Sequence, residues 1–391
     1  MLALKLAYKN LMGAGLRTWL NAIVLSFSFV MIIWFKGMLD GWDREARLDS
    51  IKWEIGGGQY WHEEYDPADP FTLTESHASL NGQQQELVEK GELVPVLITR
   101  GTIYPEGRMQ NILIKGIDKD QEVLALPTVK LDTAVSGIPA IIGAGMAESN
   151  NLVPGDRMTI RWRDANATFD ADEVIITSIF SSNVPGIDNG QVWIPIEKLR
   201  RMMLLPDEAT LLVTDNNVKD EVLQFNGWEF KDHEYLLQDI DKIIKSKSAG
   251  SSILYLILLL LAMLAIFDTQ VLSVFRRQKE IGTYVAMGMT KKQVVSLFTV
   301  EGAMHAVLAV VIGAIYGVPL FIQQSRQGIS FGMEGQDFGI TMAETLYPLY
   351  TVQLVLVTIF IIMITTTFVS FLPARKISRM NPTEAIKGKI Q

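Results

Sequence analysis

The sequence predicts a membrane α-helical protein: four transmembrane helices, with a large α+β extracytoplasmic domain inserted between helices 1 and 2. Three observations lead there. Four stretches are long and apolar enough to cross a bilayer, basic residues gather beside them, and the acidic residues 40–250 alternate β-rich with helical runs. The implied division is residues 1–39 (an N-terminal amphipathic helix and the first span), 40–250 (the extracytoplasmic domain) and 251–391 (spans two to four with a cytoplasmic segment and a C-terminal tail).

A span needs about 20 predominantly apolar residues to cross a hydrocarbon core about 30 Å thick. Residues 20–39, 253–275, 303–322 and 351–372 qualify, the second being almost pure leucine over 256–261. Residues 20–39 read as a span rather than a signal peptide. The preceding basic segment is long, the apolar stretch has full span length, and no A-x-A pattern follows.

Charge orients the spans. The segments before span one, between spans two and three, and after span four hold 13 basic and 3 acidic residues, whereas residues 40–252 hold 20 basic and 36 acidic. Positive charge stays on the cytoplasmic side, so both termini and the second loop belong inside and the acidic domain outside. Upstream of span one, Lys5 and Lys9 lie one turn apart, with Leu4, Ala7 and Leu11 on another face. That pattern suits a helix lying along the inner leaflet.

In the outer region, strands are expected over residues 94–102, 112–117, 158–162, 174–179, 191–194 and 211–214, punctuated by turns such as Pro154-Gly155-Asp156. Helical pieces fit residues 81–90, 145–150 and 196–204, and a further helix starts near Leu236 and enters the membrane after residue 252.

Catalytic chemistry is not written here. The chain has no cysteine and four histidines, none spaced from another as metal ligands are. His62-Glu63-Glu64-Tyr65-Asp66, followed by Pro67 and Pro70, reads as a solvated acidic loop rather than a cation site. Neither a nucleophile elbow nor a zinc-protease motif is present, and the lack of a Walker A sequence means ATP is not bound here by a P-loop. An acidic outer face gives nucleic acid nothing to bind.

The informative segment is 276–302, RRQKEIGTYVAMGMTKKQVVSLFTVEG. Its composition predicts a helix leaving the membrane, stopping and restarting. Gly288 suits the left-handed position past a helix end. Thr290 with Gln293 forms a capping-box pattern for the next helix. Lys291 and Lys292 then occupy a first turn, where the helix dipole disfavours cations. They serve a partner protein, or they are simply positive-inside residues.

Arg277, Glu280, Ile281, Gly282, Ala286, Gly288 and Glu301 resemble the pattern between spans two and three of the FtsX-like permease superfamily of ABC transporters, with Arg276 in place of the usual acidic residue. Pro373-Ala374-Arg375-Lys376 with Asn381-Pro382-Thr383-Glu384-Ala385 is similar to the superfamily's closing signature, and Ala7-Tyr8-Lys9-Asn10-Leu11 to its opening one. In the outer domain, Ile142-Gly143 to Ala147 with Val153-Pro154-Gly155-Asp156 resembles lipoprotein-releasing permeases, as do Gly116-Ile117-Asp118 and Gly186-Ile187-Asp188.

The resemblance implies a permease subunit of the bacterial inner membrane that is not itself an enzyme. ATP and magnesium would be bound by a separate cytoplasmic ABC ATPase. A coupling helix over residues 291–299, with Glu280, Gly288, Thr290, Lys291, Lys292 and Gln293 as the coupling residues, would dock into it. A second permease, identical or homologous, would complete the assembly. The periplasmic domain would move when the ATPases close, and the cargo would be lipoproteins or another amphiphile. Export of peptides or antibiotics through an outer-membrane duct, and mechanical activation of a cell-wall hydrolase, are the other readings.

Few ionisable residues interrupt the spans: Lys36 near an outer end, His305 near an inner one, and Asp268, which is deeper. The absence of a second intramembrane acid favours Asp268 pairing with a basic residue over a proton relay. Gly313-x-x-x-Gly317 permits close helix approach, within one subunit or between two.

Overall fold

The computed structural model describes residues 16–133, 135–182, 184–215, 223–330 and 345–379. The opening amphipathic stretch and the closing residues 381–385 lie outside them. The chain divides into two compact units, one of residues 1–41, 244–329 and 346–391, the other of residues 42–243 and 330–345.

Four long helices build the first unit: α1 (Leu16–Ser50), α5 (Gln238–Arg276), α7 (Lys291–Gln327) and α8 (Val352–Ala374). The shorter α2 (Gly82–Glu89), α3 (Ala144–Ser149) and α4 (Ile196–Met203) belong to the second unit, and α6 (Gln278–Ala286) falls between α5 and α7. All four long helices are apolar enough to cross a membrane. Their shared core joins Leu25, Phe29 and Ile33 of α1 to Ala262 and Ile266 of α5, Ala306 and Ala309 of α7, and Ile362 and Val369 of α8.

Small residues set the helix spacing. A Cβ on Gly313 would lie 3.0 Å from the Phe29 ring, and one on Gly317 3.0 Å from a Val30 methyl, so both glycines are used in this chain to bring α7 against α1. Gly302 is tighter still: an added Cβ would collide with the Ser370 side chain of α8. Near the other end of α7, Gln324 accepts from Trp34 Nε1 and from the Tyr350 hydroxyl, both at 2.9 Å. Lys36 pairs with Asp40 one turn on, at 2.6 Å.

The second unit is built on nine strands: β1 (Gln59–His62), β2 (Leu93–Ile103), β3 (Gln110–Ile117), β4 (Ile138–Gly143), β5 (Arg157–Arg163), β6 (Phe169–Phe180), β7 (Gln191–Pro195), β8 (Leu211–Thr214) and β9 (Trp228–Lys231). Their order is β9-β1-β8-β2-β3-β7-β4-β6-β5, mostly antiparallel, with β3–β7 and β4–β6 parallel. A further antiparallel pairing of Gly101–Ile103 with Ile160–Trp162 joins β5 back to β2. Six strands thereby close into a ring, which leaves no free edge along it.

Period-2 alternation fills this ring. Ile112 and Ile114, Ile138, Ala140 and Ile142, Met158, Ile160 and Trp162, Val174 and Ile176, and Val192 and Ile194 all enter one core, which Leu199 and Met203 of α4 also join. The alternate residues Ile141 and Trp193 join a second core with Val94, Val96 and Ile98 of β2 and Leu211 and Val213 of β8. That second core borders a cavity of about 670 Å³, whose walls include Trp61, Val96, Trp193 and residues of the segments 50–55 and 235–243. The half-exposed Glu54 reaches the buried Lys115 in its wall.

The expected strands and helices are present with small shifts of boundary. Asn81 caps α2 with a complete capping box to Gln84, which fixes its start where the sequence places it. Strands β1, β4 and β9 were not expected, and β4 carries a proline inside a run buried on both faces, which shows no alternation to read.

Candidate functional site

The segment from Arg276 to Gly302 is a helical hairpin with two breaks. α5 ends at Arg276, Arg277 takes a non-helical conformation as the residue before α6, and α6 ends at Ala286. Gly288 then adopts φ +97°, with open space where a Cβ would stand. Its N–H donates to Val285 O and the Met289 N–H to Tyr284 O, both at 3.1 Å. This paired closure satisfies carbonyls that a helix end leaves open.

Thr290 begins α7 with the expected capping box. The Gln293 N–H donates to Thr290 Oγ1, and the Thr290 N–H donates to Gln293 Oε1 at 2.8 Å. The restart is therefore as the sequence implies, but its length is not. Residues 291–299 are the first turns of the 37-residue helix α7 and not a separate coupling helix. No glycine or proline interrupts residues 291–299, so nothing ends the helix there. The short, separately bounded helix is α6.

Arg277 holds the hairpin together. Its Nη1 donates to both carboxylate oxygens of Glu301, at 2.8 and 2.9 Å, while Nε donates to Glu280 at 2.7 Å. The guanidinium also lies 4.9 Å from the centre of the Phe298 ring. Ile281 of α6, Val294, Val295 and Phe298 of α7, Ala374 at the end of α8 and Ile377 beyond it form a small core beneath it. The sequence motif contains Arg277, Glu280 and Glu301, but the pairing across 24 residues is visible only in three dimensions.

What α6 leaves outside is telling. Lys279, Glu280 and Thr283 are exposed, and Met287, capping its end, is 69% exposed. Lys292 turns to a different neighbourhood: with Val295 and Thr299 of α7, Thr367 and Phe371 of α8, and Arg375, it lines a groove of about 580 Å³.

The intramembrane acid is a second correction. The buried residues of α5 are Ala262, Ile266, Gln270 and Val274, a stripe repeating every four positions. Asp268 lies two residues from that stripe, about 200° around the helix at about 100° per residue. It is accordingly exposed and makes no ion pair among the described residues, so the expected basic partner is not there.

These features define a class: a multi-span helical membrane protein with a twice-broken helical hairpin between its second and third long helices and a separate, large folded domain of mixed strands and helices. Residues 252–382 match the family model for the FtsX-like permease C-terminal region, which bears out the resemblance over the second, third and fourth long helices. Members of that family are permease subunits of ABC transporters, with the ATPase in a partner. Among solved structures, the periplasmic region of MacB from Actinobacillus actinomycetemcomitans aligns at 11% identity and TM-score 0.32, covering 50% of this chain and 97% of that one. The extracellular domain of the noncanonic ABC-type transporter YknZ from Gram-positive bacteria aligns at 11% identity and TM-score 0.26, covering 42% and 85%. No curated protein matches significantly.

Proposed function

We propose that this chain is the permease subunit of an ATP-driven transporter, coupling ATP hydrolysis by a separate cytoplasmic ABC ATPase to movement of its own periplasmic domain. The observation that carries this reading is the hairpin. A short helix, α6, is bounded by two breaks, bears an exposed Met287, and is tied by Arg277 to Glu301 of α7. A force applied to α6 is thereby delivered to a transmembrane helix. The ATPase docks on α6, Met287, the Gly288 turn and the Thr290–Gln293 start of α7, with Lys291 contributing charge; ATP and magnesium belong to that partner.

In this reading the chain sits in the bacterial inner membrane with both termini cytoplasmic and residues 40–250 periplasmic, as the charge distribution favours. It works beside a second permease, identical or homologous. The cargo is an amphiphile, most specifically a lipoprotein released from the inner membrane towards the outer membrane. The 670 Å³ cavity bordered by Trp61, Val96 and Trp193 favours handling of an amphiphile over a purely mechanical role in activating a hydrolase. Export of peptides or antibiotics through an outer-membrane duct fits the same cavity and is the second reading.

Mass spectrometry of what copurifies from native membranes in mild detergent tests this. An ATPase with acylated proteins is the expected result, and an ATPase with a duct protein would move the cargo to the second reading. Met287→Glu and Lys291→Glu should each weaken ATPase recruitment while membrane insertion stays intact. Unchanged recruitment in both would remove the docking assignment.

A further inference from the structure

The cavity of the second unit has one wall made by the sheet, and strand register fixes the layout of that wall. Trp61 of β1 pairs with Leu211 of β8, and Leu211 with Val96 of β2. Two residues further along β2, Ile98 pairs with Lys115 of β3, and Lys115 with Trp193 of β7. All of them line the cavity and so share one face of the sheet. Strands lie about 4.8 Å apart, so the four spacings from β1 to β7 make this face about 19 Å wide. Trp61, Leu211, Val96 and Ile98 make most of it apolar, and Lys115 and Trp193 end it in hydrogen-bonding groups. Trp193 is 1% exposed, yet its indole Nε1–H, which can only donate, has no partner among the described residues. A buried donor of this kind is costly unless it meets an acceptor.

Charge narrows the occupant. Lys115 is paired with Glu54, which also accepts from Gln191 Nε2 at 3.3 Å, and the exposed Lys242 is paired with Asp239 at 2.8 Å. Asp66 is the remaining charged wall residue, so an anionic head finds no unmatched cation. A cationic head fares no better. Lys115 already stands 5.0 Å from the centre of the Trp193 ring, and Lys231 stands 4.4 Å from that of Tyr235. The other polar walls are neutral. Gln59 uses both ends of its amide, to Glu54 O and from Trp61 Nε1, each at 2.7 Å. Burial raises the pKa of Tyr65, with Glu54 and Asp66 adding to the rise, so its phenol keeps its proton. Ser50 adds a hydroxyl, and Gln238 is exposed. A long apolar body carrying a neutral acceptor meets these walls, which describes an acyl chain joined through an ester or amide carbonyl. The volume of about 670 Å³ falls within the range of small-molecule sites, roughly 300–1,000 Å³.

We propose that this cavity holds one acyl chain of an acylated polypeptide, its ester or amide carbonyl accepting from Trp193 Nε1 and its hydrocarbon lying over Val96, Leu211 and Val213 towards Trp61. The inference deepens the proposed function and rests on its reading of the cargo as a lipoprotein. A phospholipid has the same carbonyls but brings a phosphate, which these walls do not match.

The test places the purified full chain in phosphatidylcholine nanodiscs with a synthetic N-palmitoyl peptide whose acyl chain carries a diazirine. After irradiation, the labelled residues are read by peptide mass spectrometry. Labels are expected on β1, β2 and β8 around Trp61, Val96 and Leu211. Unlabelled N-acyl peptides should compete about tenfold less well for every two methylenes removed from the chain. Trp193→Phe, which keeps a ring and loses the N–H, should weaken labelling about fivefold, while Phe169→Ala, outside the cavity, should leave it unchanged. Labels confined to the four long helices, competition indifferent to chain length, or full labelling of the phenylalanine variant each overturn the proposal. Equal labelling by a phosphatidylcholine bearing the same diazirine chain would make this a membrane-lipid site and overturn it too. The chain-length series needs no variant and so stands even if Trp193→Phe misfolds. A copurified fraction without acylated proteins would remove the cargo reading itself; acylated proteins copurifying with a chain whose cavity stays unlabelled would overturn this inference alone.

Discussion

Arg277 donates from one nitrogen to both carboxylate oxygens of Glu301, and the break between α5 and α6 is thereby fixed to the body of α7. Glu301 is buried, its side chain 8% exposed, and that of Arg277 is 18% exposed. An ion pair this sheltered is costly to break from one side, because the remaining charge stays in a poor environment.

Arg277→Ala should therefore destabilise the chain by roughly 1.5–3 kcal/mol, the scale for losing hydrogen bonds to a charged group. Arg277→Lys should recover only part, since a lysine cannot reach Glu280 and both Glu301 oxygens from one planar fork. Thermal unfolding in detergent measures the loss. A structural pair alone would lower stability and leave coupling intact, whereas a coupling pair also uncouples ATP hydrolysis from transport in the surviving folded fraction. The second outcome is expected.

The second unit holds its own sheltered carboxylate. Asp188 accepts from the N–H groups of Ala144 at 3.1 Å, Gly145 at 2.6 Å and Ser182 at 3.1 Å, bridging the start of α3 to the turn before β7. Burial raises its pKa above the ordinary aspartate value, against the three donors, which lower it. A folded pKa above the unfolded one means the folded state holds the proton more tightly. This group's contribution to stability is thus full below the unfolded value and is lost as pH rises through the folded one. Acid-side melting of the full chain should show that slope, and Asp188→Asn should flatten it. Asp188→Ala should cost about 1–3 kcal/mol by leaving buried N–H groups unpaired. An unchanged slope in the asparagine variant would assign the titration to another group.

Local signals in the sequence located most of the elements and failed where distance decides. Thr290 and Gln293 announce the start of α7 because a capping box spans three residues. They say nothing about its end, so from that side a short helix and a 37-residue one look alike. β4 was hidden because Ile138, Ala140, Ile141 and Ile142 are all buried, some in one core and some in the other. The closure of the ring between Gly101–Ile103 and Ile160–Trp162 depends on a pairing across about sixty residues that no window contains. An acid such as Asp268 needs a partner as chemistry, but which face of α5 it occupies depends on what the other helices cover.

That face leads to the last prediction. An acid within a span is expected to look into a bundle or a cavity, since the insertion cost of Asp at a helix centre is about 2.5–3.5 kcal/mol. Asp268 instead looks out of this chain's own bundle. Two environments remain for it, lipid or a second permease chain, and replacement by leucine separates them by sign. Facing lipid, Asp268→Leu would remove an unfavourable charge and raise the melting temperature. Facing a partner chain, it would remove a polar contact and lower the stability of the assembly while leaving the single chain folded. A subunit contact made through this face of α5 requires the second result: a shift from dimer to monomer by native mass spectrometry or size exclusion, without loss of membrane insertion. A more stable assembly in the leucine variant would place α5 against lipid and move the subunit contact to another helix.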